Sequence, residues 1–213
     1  MKKIVLFFVV LCSMALTSCE QNGPSKGHKY VDLGLSVKWA TCNVGAETPE
    51  GYGDYFAWGE VKSKSGGIYA YWYTNYKWFV GKDYVKYNNE DKKVELELED
   101  DAANVNWGGR WRMPTREEFQ ELVDKCIWTW DDVKKGYLII GSNGNSIFLP
   151  AGGAGSVSDD YGYPGEVGNY WTSTLDSEYG SYYAFMCMFG SDGIEGVFGI
   201  DRYEGFSVRP VLP

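Results

Sequence analysis

With 213 residues the chain is long enough for one domain or at most two, and its formal charge of −9 argues against the clustered cations that phosphate-backbone or anionic-lipid recognition relies on. Aromatic residues make up 17% of it and glycines number 27, a mixture that suits a β-rich, loop-rich domain rather than a helix bundle. The one histidine, His28, precedes the folded part, so Ser–His and Cys–His catalysis and histidine zinc sites are excluded from the domain.

Two lysines, the apolar run Ile4–Leu11 and a weakly polar stretch ending at Ser18 follow the order of an export signal. The run is too short for a ~30 Å hydrocarbon core, which takes about 20 residues, so a permanent membrane span is not expected. Leu16-Thr17-Ser18-Cys19 resembles the lipobox of bacterial lipoprotein precursors. That resemblance implies cleavage after Ser18, a diacylglyceryl thioether on Cys19 and often an acylated amine. Two or three acyl chains anchor a protein stably where one holds it only marginally. Loss of residues 1–18 leaves 195 residues and, with Lys2 and Lys3 gone, a formal charge of −11. Gln21–Lys29 is polar and rich in Gly, Pro and Ser, which reads as a flexible tether. Glu20 stands where inner-membrane lipoproteins carry an Asp retention signal, so the outer membrane or cell surface is the expected location. The organisation is then signal peptide 1–18, lipid-anchored tether 19–29 and a single domain 30–213.

Tyr30–Gly34 and Ser36–Ala40 alternate apolar and polar about Gly34 and read as a hairpin. Tyr55–Trp58 is a short buried strand, and residues 60–90, dense in Tyr, Trp, Lys, Gly and Asn without periodicity, read as a long loop or insertion. Val94–Leu98 alternates cleanly, with Val94, Leu96 and Leu98 on one face and Glu95, Glu97 and Glu99 on the other. The main helix runs from Thr115 to about Lys125. Thr115 and Glu118 form a capping box, and Phe119, Leu122, Val123 and Cys126 make one apolar stripe. Asn143-Gly144 between Gly136–Ile140 and Ser146–Leu149 predicts a second hairpin. A glycine-rich loop, Gly152–Gly168, precedes strands at Tyr170–Ser173, Tyr182–Phe189, about Ile194–Phe198 and Phe206–Val211. Tyr182–Phe189 is apolar almost throughout, as for a strand covered on both faces. Trp111, Phe119, Trp128, Trp130 and Trp171 are core candidates. Of the cysteines left after Cys19, at most one pair can bridge. Cys42 with Cys126 is the expected pair, free thiols being the other reading, and Cys187 in its apolar run is an inert buried thiol.

Several phrases in fixed order carry a wider likeness. They are Tyr30-Val-Asp-Leu-Gly-Leu-Ser-Val-Lys-Trp-Ala-Thr-Cys-Asn-Val-Gly-Ala46, Asp54-Tyr-Phe-Ala-Trp-Gly-Glu60, Asn106-Trp-Gly-Gly-Arg-Trp-Arg-Met-Pro-Thr-Arg-Glu-Glu-Phe119, Asn169-Tyr-Trp-Thr-Ser-Thr174 and Gly205-Phe-Ser-Val-Arg-Pro-Val211. Together they resemble the Fibrobacter succinogenes major paralogous domain family, over about Tyr30 to Val211. More remotely, Trp111–Phe119 with the closing Gly-Phe…Arg is similar to formylglycine-generating enzymes and phage receptor-binding tips. The likeness implies an α+β class and, within it, a C-type-lectin-like fold: a twisted antiparallel sheet, one main helix at about 115–125 and long loops. It brings no function with it, since that fold hosts binders and enzymes alike.

Formylglycine-generating enzymes use a cysteine pair in their C-terminal part, where this chain offers Cys187 alone. Gly152–Gly155 and Gly108-Gly109 lack the Lys-Ser/Thr and strand–helix setting of a phosphate loop and read as turns. Paired carboxylates among Asp159, Asp160, Glu166 and Asp176 would be needed for a cryptic hydrolase. Ca²⁺ would call on the same oxygens, but neither an EF-hand spacing nor the Glu-Pro-Asn or Trp-Asn-Asp triplets of calcium-dependent lectins occurs, so no metal or cofactor is expected. The ligand-binding candidates are loop aromatics and acids: Asp159, Asp160, Tyr161, Tyr163, Asp176, Glu178, Tyr179, Tyr182 and Tyr203. Tyrosine faces stack on sugar rings and carboxylates accept hydroxyl hydrogen bonds, so the leading expectation is an adhesion-type, non-catalytic surface module for a glycan or protein. A structural subunit of a surface or fimbrial assembly is the alternative and a hydrolase the second. For the anchor, Cys19→Ala is expected to abolish palmitate labelling and release the protein from the membrane fraction; a variant that stays with the membrane rules the lipid out.

Overall fold

The computed structural model describes residues 21–22, 27–65, 69–155 and 163–213. The signal segment, Cys19, most of the tether, and Asp159, Asp160 and Tyr161 lie outside the described residues. In chain order the elements are β1 (Gln21–Asn22), β2 (Lys29–Val31), β3 (Lys38–Ala40), β4 (Tyr55–Phe56), β5 (Phe79–Val80), β6 (Asp83–Tyr84), α1 (Ala102–Trp107) and α2 (Arg116–Lys125). They continue with β7 (Ile127–Asp131), β8 (Gly136–Ile140), β9 (Ser146–Pro150), β10 (Val167–Asp176), β11 (Tyr183–Gly190), β12 (Gly193–Asp201), β13 (Phe206–Ser207) and β14 (Val211–Leu212). Among the described residues, several sheets and two α-helices make this an α+β chain. The strand orders are β1-β2-β3-β14, β12-β11-β10-β13-β4, β5-β6 and β7-β8-β9, antiparallel throughout except for the β10–β13 pair.

The five-stranded sheet is the middle layer. Successive side chains of a strand point to opposite faces, so neighbours enter different cores. On β10, Tyr170 joins Trp39, Phe119 and Phe189 on one side, while Trp171 joins Trp58, Trp111 and Phe206 on the other. On β11, Cys187 and Phe189 go to the first set, and Ala184 and Met186 to the second. This two-sided cover explains why β11 reads as a near-continuous apolar run. Gly168 allows a close approach: a Cβ there would lie 2.1 Å from the Phe189 ring.

Helix α2 begins as its sequence dictates. Thr115 Oγ1 accepts from Glu118 N at 3.2 Å, and Glu118 Oε2 accepts from Thr115 N at 2.8 Å. Phe119 and Leu122 are buried in the core that holds Trp39, Tyr170 and Phe189, while Val123 packs at its margin. The hairpin β8–β9 turns at Asn143-Gly144, where Gly144 has φ +84°, a left-handed conformation that favours glycine.

Three expectations change. Val94–Leu98 is not a one-sided strand: it makes the single bridge Glu95–Thr174 and then enters a 3-10 turn at Leu98. Val94 and Leu98 are exposed and only Leu96 packs on the core, because the intervening glutamates are tied to Ser173 and Thr174 (Glu95) and to Lys86 and Lys93 (Glu97). Phe206–Val211 divides between two sheets. Pro210 has no N–H for a ladder, and its carbonyl accepts instead from Ala40 N at 2.9 Å. Finally, Cys42 and Cys126 carry free thiols, so the bridge expected between them is not formed. Their surroundings differ: Cys126 ends α2 against the core that holds Trp39, Phe119 and Phe189, while Cys42 sits beside Thr41 in a groove with His28 and Trp107. Cys187 is fully buried and its thiol is pushed up by that burial.

Short α1 and strand β7 have no clear sequence signal. Helix α1 starts at Asp101, whose buried carboxylate accepts from Asn104 N at 3.0 Å and from Met113 N at 2.8 Å. Burial pushes this carboxyl from 3.8 up to about 6, against the pull of those N–H donors. The fold therefore holds a proton that the unfolded chain has already released, and the stability this gives is lost as pH rises from about 4 through 6. Relative to Asp101→Asn, the wild type is expected to lose roughly 2–3 kcal/mol of unfolding free energy between pH 4 and pH 7. Urea titrations of both at each pH check it, and a difference that does not move with pH sinks the assignment.

Candidate functional site

The insertion at 69–90 owes its place to a residue far along the chain. Arg202, just after β12, is fully buried. Its Nε donates to Tyr76 Oη at 3.1 Å, Nη1 to the carbonyls of Tyr87 and Ser181 at 3.1 and 2.9 Å, and Nη2 to the Lys86 carbonyl at 3.1 Å. The guanidinium carbon lies 4.8 Å from the ring centroids of both Trp58 and Tyr84, with Tyr76 at 5.5 Å. A charge out of water is tolerated only when such donors and π faces satisfy it. Because its partners lie in three segments, the cation holds 76–87, the turn at 181 and the end of β12 together.

What this presents outward is two groups of exposed rings, linked into a strip through partly buried Phe79 and buried Tyr84, in edge or tilted contact. From one end they run Trp72–Tyr73 at 5.6 Å, Tyr73–Phe79 at 5.6 Å, Phe79–Tyr84 at 5.3 Å and Tyr84–Tyr182 at 5.5 Å, with Tyr203 beside Trp72 and Tyr73. Tyr69, Trp72, Tyr73 and Tyr182 are 70, 50, 41 and 56% exposed, which is much aromatic surface left in water. The strip leads into a groove of about 390 Å³ lined by Lys82, Tyr84, Asn88, Asn89, Glu90 and Tyr182. A second groove of about 260 Å³ shares Asn88 and Asn89 and adds Val94, Leu175, Ser177 and Gly180.

The shared wall is built rigidly. Tyr87 and Lys92 both have left-handed backbone, φ +56° and +54°, an arrangement that costs energy in non-glycine residues. It is held because Asp91 accepts from the backbone N–H groups of Tyr87, Asn88 and Lys93 at 2.7, 2.9 and 3.1 Å. Asn88 Oδ1 likewise accepts from Glu90 N and Asp91 N, and its amide donates to the Tyr84 carbonyl at 2.6 Å. Asn88 and Asp91 are thus spent on the turn, leaving Asn89 and Glu90 exposed above it.

Other features are internally satisfied. Glu97, Glu99 and Asp100 form a carboxylate group of metal-binding spacing. Lys86 Nζ already sits among them, 2.6, 3.5 and 2.5 Å from their oxygens, with Lys77 on Asp100 and Lys93 on Glu97. A groove of about 490 Å³ along α2 is lined by Glu117, Glu118, Glu121 and Asp124 beside Arg116 and Lys125, but Glu118 is paired with Arg112, and Glu121 with Lys125 and Ser36. His28 stacks on Trp107 at 3.7 Å, so the domain takes hold of the chain slightly before Tyr30. The carboxyls raised by burial at Glu95, Asp101 and Asp201 line none of these grooves.

Among the sequence candidates, Tyr182 lines the larger groove and Tyr203, half-buried, belongs to the strip. Glu178 and Tyr179 are exposed on the adjoining turn Ser177–Tyr179. Asp176 is not presented to solvent: it is buried and caps that turn by accepting from Glu178 N. Tyr163 is exposed ahead of β10. Trp72, Tyr73, Tyr84, Asn88 and Asn89 escaped the sequence reading, although the density of Tyr, Trp and Asn in 60–90 was the available signal. No protein-family model, curated protein or solved structure matches the chain.

Replacing Arg202 tests this arrangement. Arg202→Lys keeps the charge but not the directed fork, and is expected to cost roughly 2–4 kcal/mol. Hydrogen exchange should rise in 69–90 while β8 and β9 stay protected. Unchanged protection in 69–90 overturns the role.

Proposed function

We propose that the chain is a lipid-anchored surface protein whose domain binds a glycan, without breaking it, in the cleft between 82–90 and 177–182. The observation that carries this reading is the exposed rings of Trp72, Tyr73 and Tyr182, linked through buried Tyr84, beside a polar groove whose two walls Arg202 ties together. Aromatic faces cover the C–H faces of sugar rings, and a few fixed polar groups, here Asn89, Glu90 and Asp83, orient hydroxyls. Preorganised loops reduce the ordering cost of binding. The likeness to the Fibrobacter succinogenes major paralogous domain family and to C-type-lectin-like folds supports the reading, because related folds display ligand contacts on loops of this C-terminal half. The anchor on Cys19 would set the domain at the outer membrane or cell surface. No metal or other cofactor is required.

A structural role in a surface assembly is the second reading. It is favoured by β12, a nine-residue strand at the edge of its sheet with Glu195 and Asp201 as its only charged residues.

The test is a glycan array with the full chain purified in detergent, beside Tyr179→Ala/Tyr182→Ala and Trp72→Ala/Tyr73→Ala. Selective binding should fall roughly tenfold or more in each variant, with melting little changed because these rings are exposed. Silence across the array from folded protein sinks the glycan reading and favours the edge-strand assembly.

A further inference from the structure

The two grooves are not independent. Arg202 Nη1 bonds the carbonyls of Tyr87 and Ser181 together, so the Asn88-Asn89 wall is held against the Gly180-Ser181 turn. The groove of about 390 Å³ lies on the side of Tyr84 and Tyr182, and that of about 260 Å³ on the side of Val94 and Leu175, with Asn88 and Asn89 lining both. They meet at a saddle whose floor is tied down by a buried cation. A ligand using both must be elongated and made of repeating units small enough for each.

The charge around the saddle is mixed rather than focused. Lys82, Asp83 and Glu90 border the larger groove and Lys92 and Lys93 the smaller, with Lys93 already paired to Glu97 at 2.6 Å. Asp91 is consumed by its turn. No cluster of one sign is available to neutralise a charged polymer, and the whole chain, at −9, repels polyanions. Asn89, exposed at the junction, offers a donor and an acceptor on one amide, which suits hydroxyls on either side.

Resting on the glycan reading above, we infer that the two grooves are successive subsites for a single uncharged oligosaccharide, which crosses the saddle between Asn88-Asn89 and Gly180-Ser181. Tyr182 flanks the first unit and Val94 the second, and Asn89 reads hydroxyls between them.

Calorimetry on the full chain in detergent, with neutral gluco-, manno- and xylo-oligosaccharides of increasing length and with uronic-acid oligosaccharides, tests this. Affinity for the neutral series should rise roughly tenfold on going from one unit to chains that reach both grooves, and stay constant as salt is raised. Asn89→Ala should weaken long chains, and Val94→Trp, which fills the smaller groove from an exposed position, should remove the gain from length. Affinity that does not grow with length, or growth that Val94→Trp leaves intact, overturns the two-subsite inference but not the binding reading. Binding confined to acidic chains and fading with salt overturns the uncharged class. No binding to any oligosaccharide overturns the inference and the glycan reading together.

Discussion

Much of the molecule depends on burying two guanidinium groups. Arg202 and Arg209 are fully buried, and each spends its donors mainly on backbone carbonyls. Arg209 Nε donates to Asn43 Oδ1 at 2.8 Å, and its other nitrogens reach the carbonyls of Ala40 and Phe148. A guanidinium in the interior loses hydration that only several well-placed acceptors restore, and removing any of them leaves a bare charge. The requirement runs both ways: the Lys86, Tyr87 and Ser181 carbonyls that Arg202 takes lie outside the strands and would otherwise need water or another partner, while Arg209 takes those of Ala40 in β3 and Phe148 in β9. Arg209 in this way joins β3, the following loop and β9 near the chain's end, while Arg202 joins the insertion to β12. Among the described residues, these irregular segments are tied by buried cations rather than by ladders.

That division explains what was legible in the sequence. Helix α2, the β8–β9 hairpin and β11 are specified by neighbours: a capping box, an Asn-Gly turn, an unbroken apolar run. Each signal lies within a few residues of the structure it dictates, so it survives without tertiary knowledge. The insertion at 69–90 has no such pattern because its stabilising partner is more than a hundred residues away. Tyr182 and Tyr203 were found as loop aromatics, yet nothing local says that Tyr84 and Trp72 are their neighbours. Val94–Leu98 misled for the converse reason. Its alternation is real, but Glu95 and Glu97 are tied to partners and the apolar residues mostly face water, so periodicity reported composition rather than burial.

The same accounting bears on the acids. A chain of this charge invites a metal, and three carboxylates do converge at Glu97, Glu99 and Asp100. Lysines fill that role: Lys86 lies 4 Å or less from an oxygen of each, over the faces of Trp78 and Tyr87 as well. An ammonium held by carboxylates and aromatic faces is stabilised in place, and an incoming divalent ion would have to displace it. Asp91 and Asp176 are similarly committed to backbone N–H groups of their turns.

Once those charges are subtracted, the cleft is left with neutral means of recognition. What remains at its surface is ring faces, an amide, and carboxylates dispersed among lysines. Such groups contribute little long-range attraction and much shape and hydrogen-bond selectivity, which fits a ligand that is polar without being charged. Affinity then has to come from contact area, and the area available lies along the strip and across both grooves rather than in a single deep pocket. On the proposed reading, a weak site meeting an extended ligand, presented in many copies from a lipid anchor, would gain strength from multivalency instead of from any one contact. The buried arginine makes that economical, because loops already fixed lose little further entropy when the chain is laid across them.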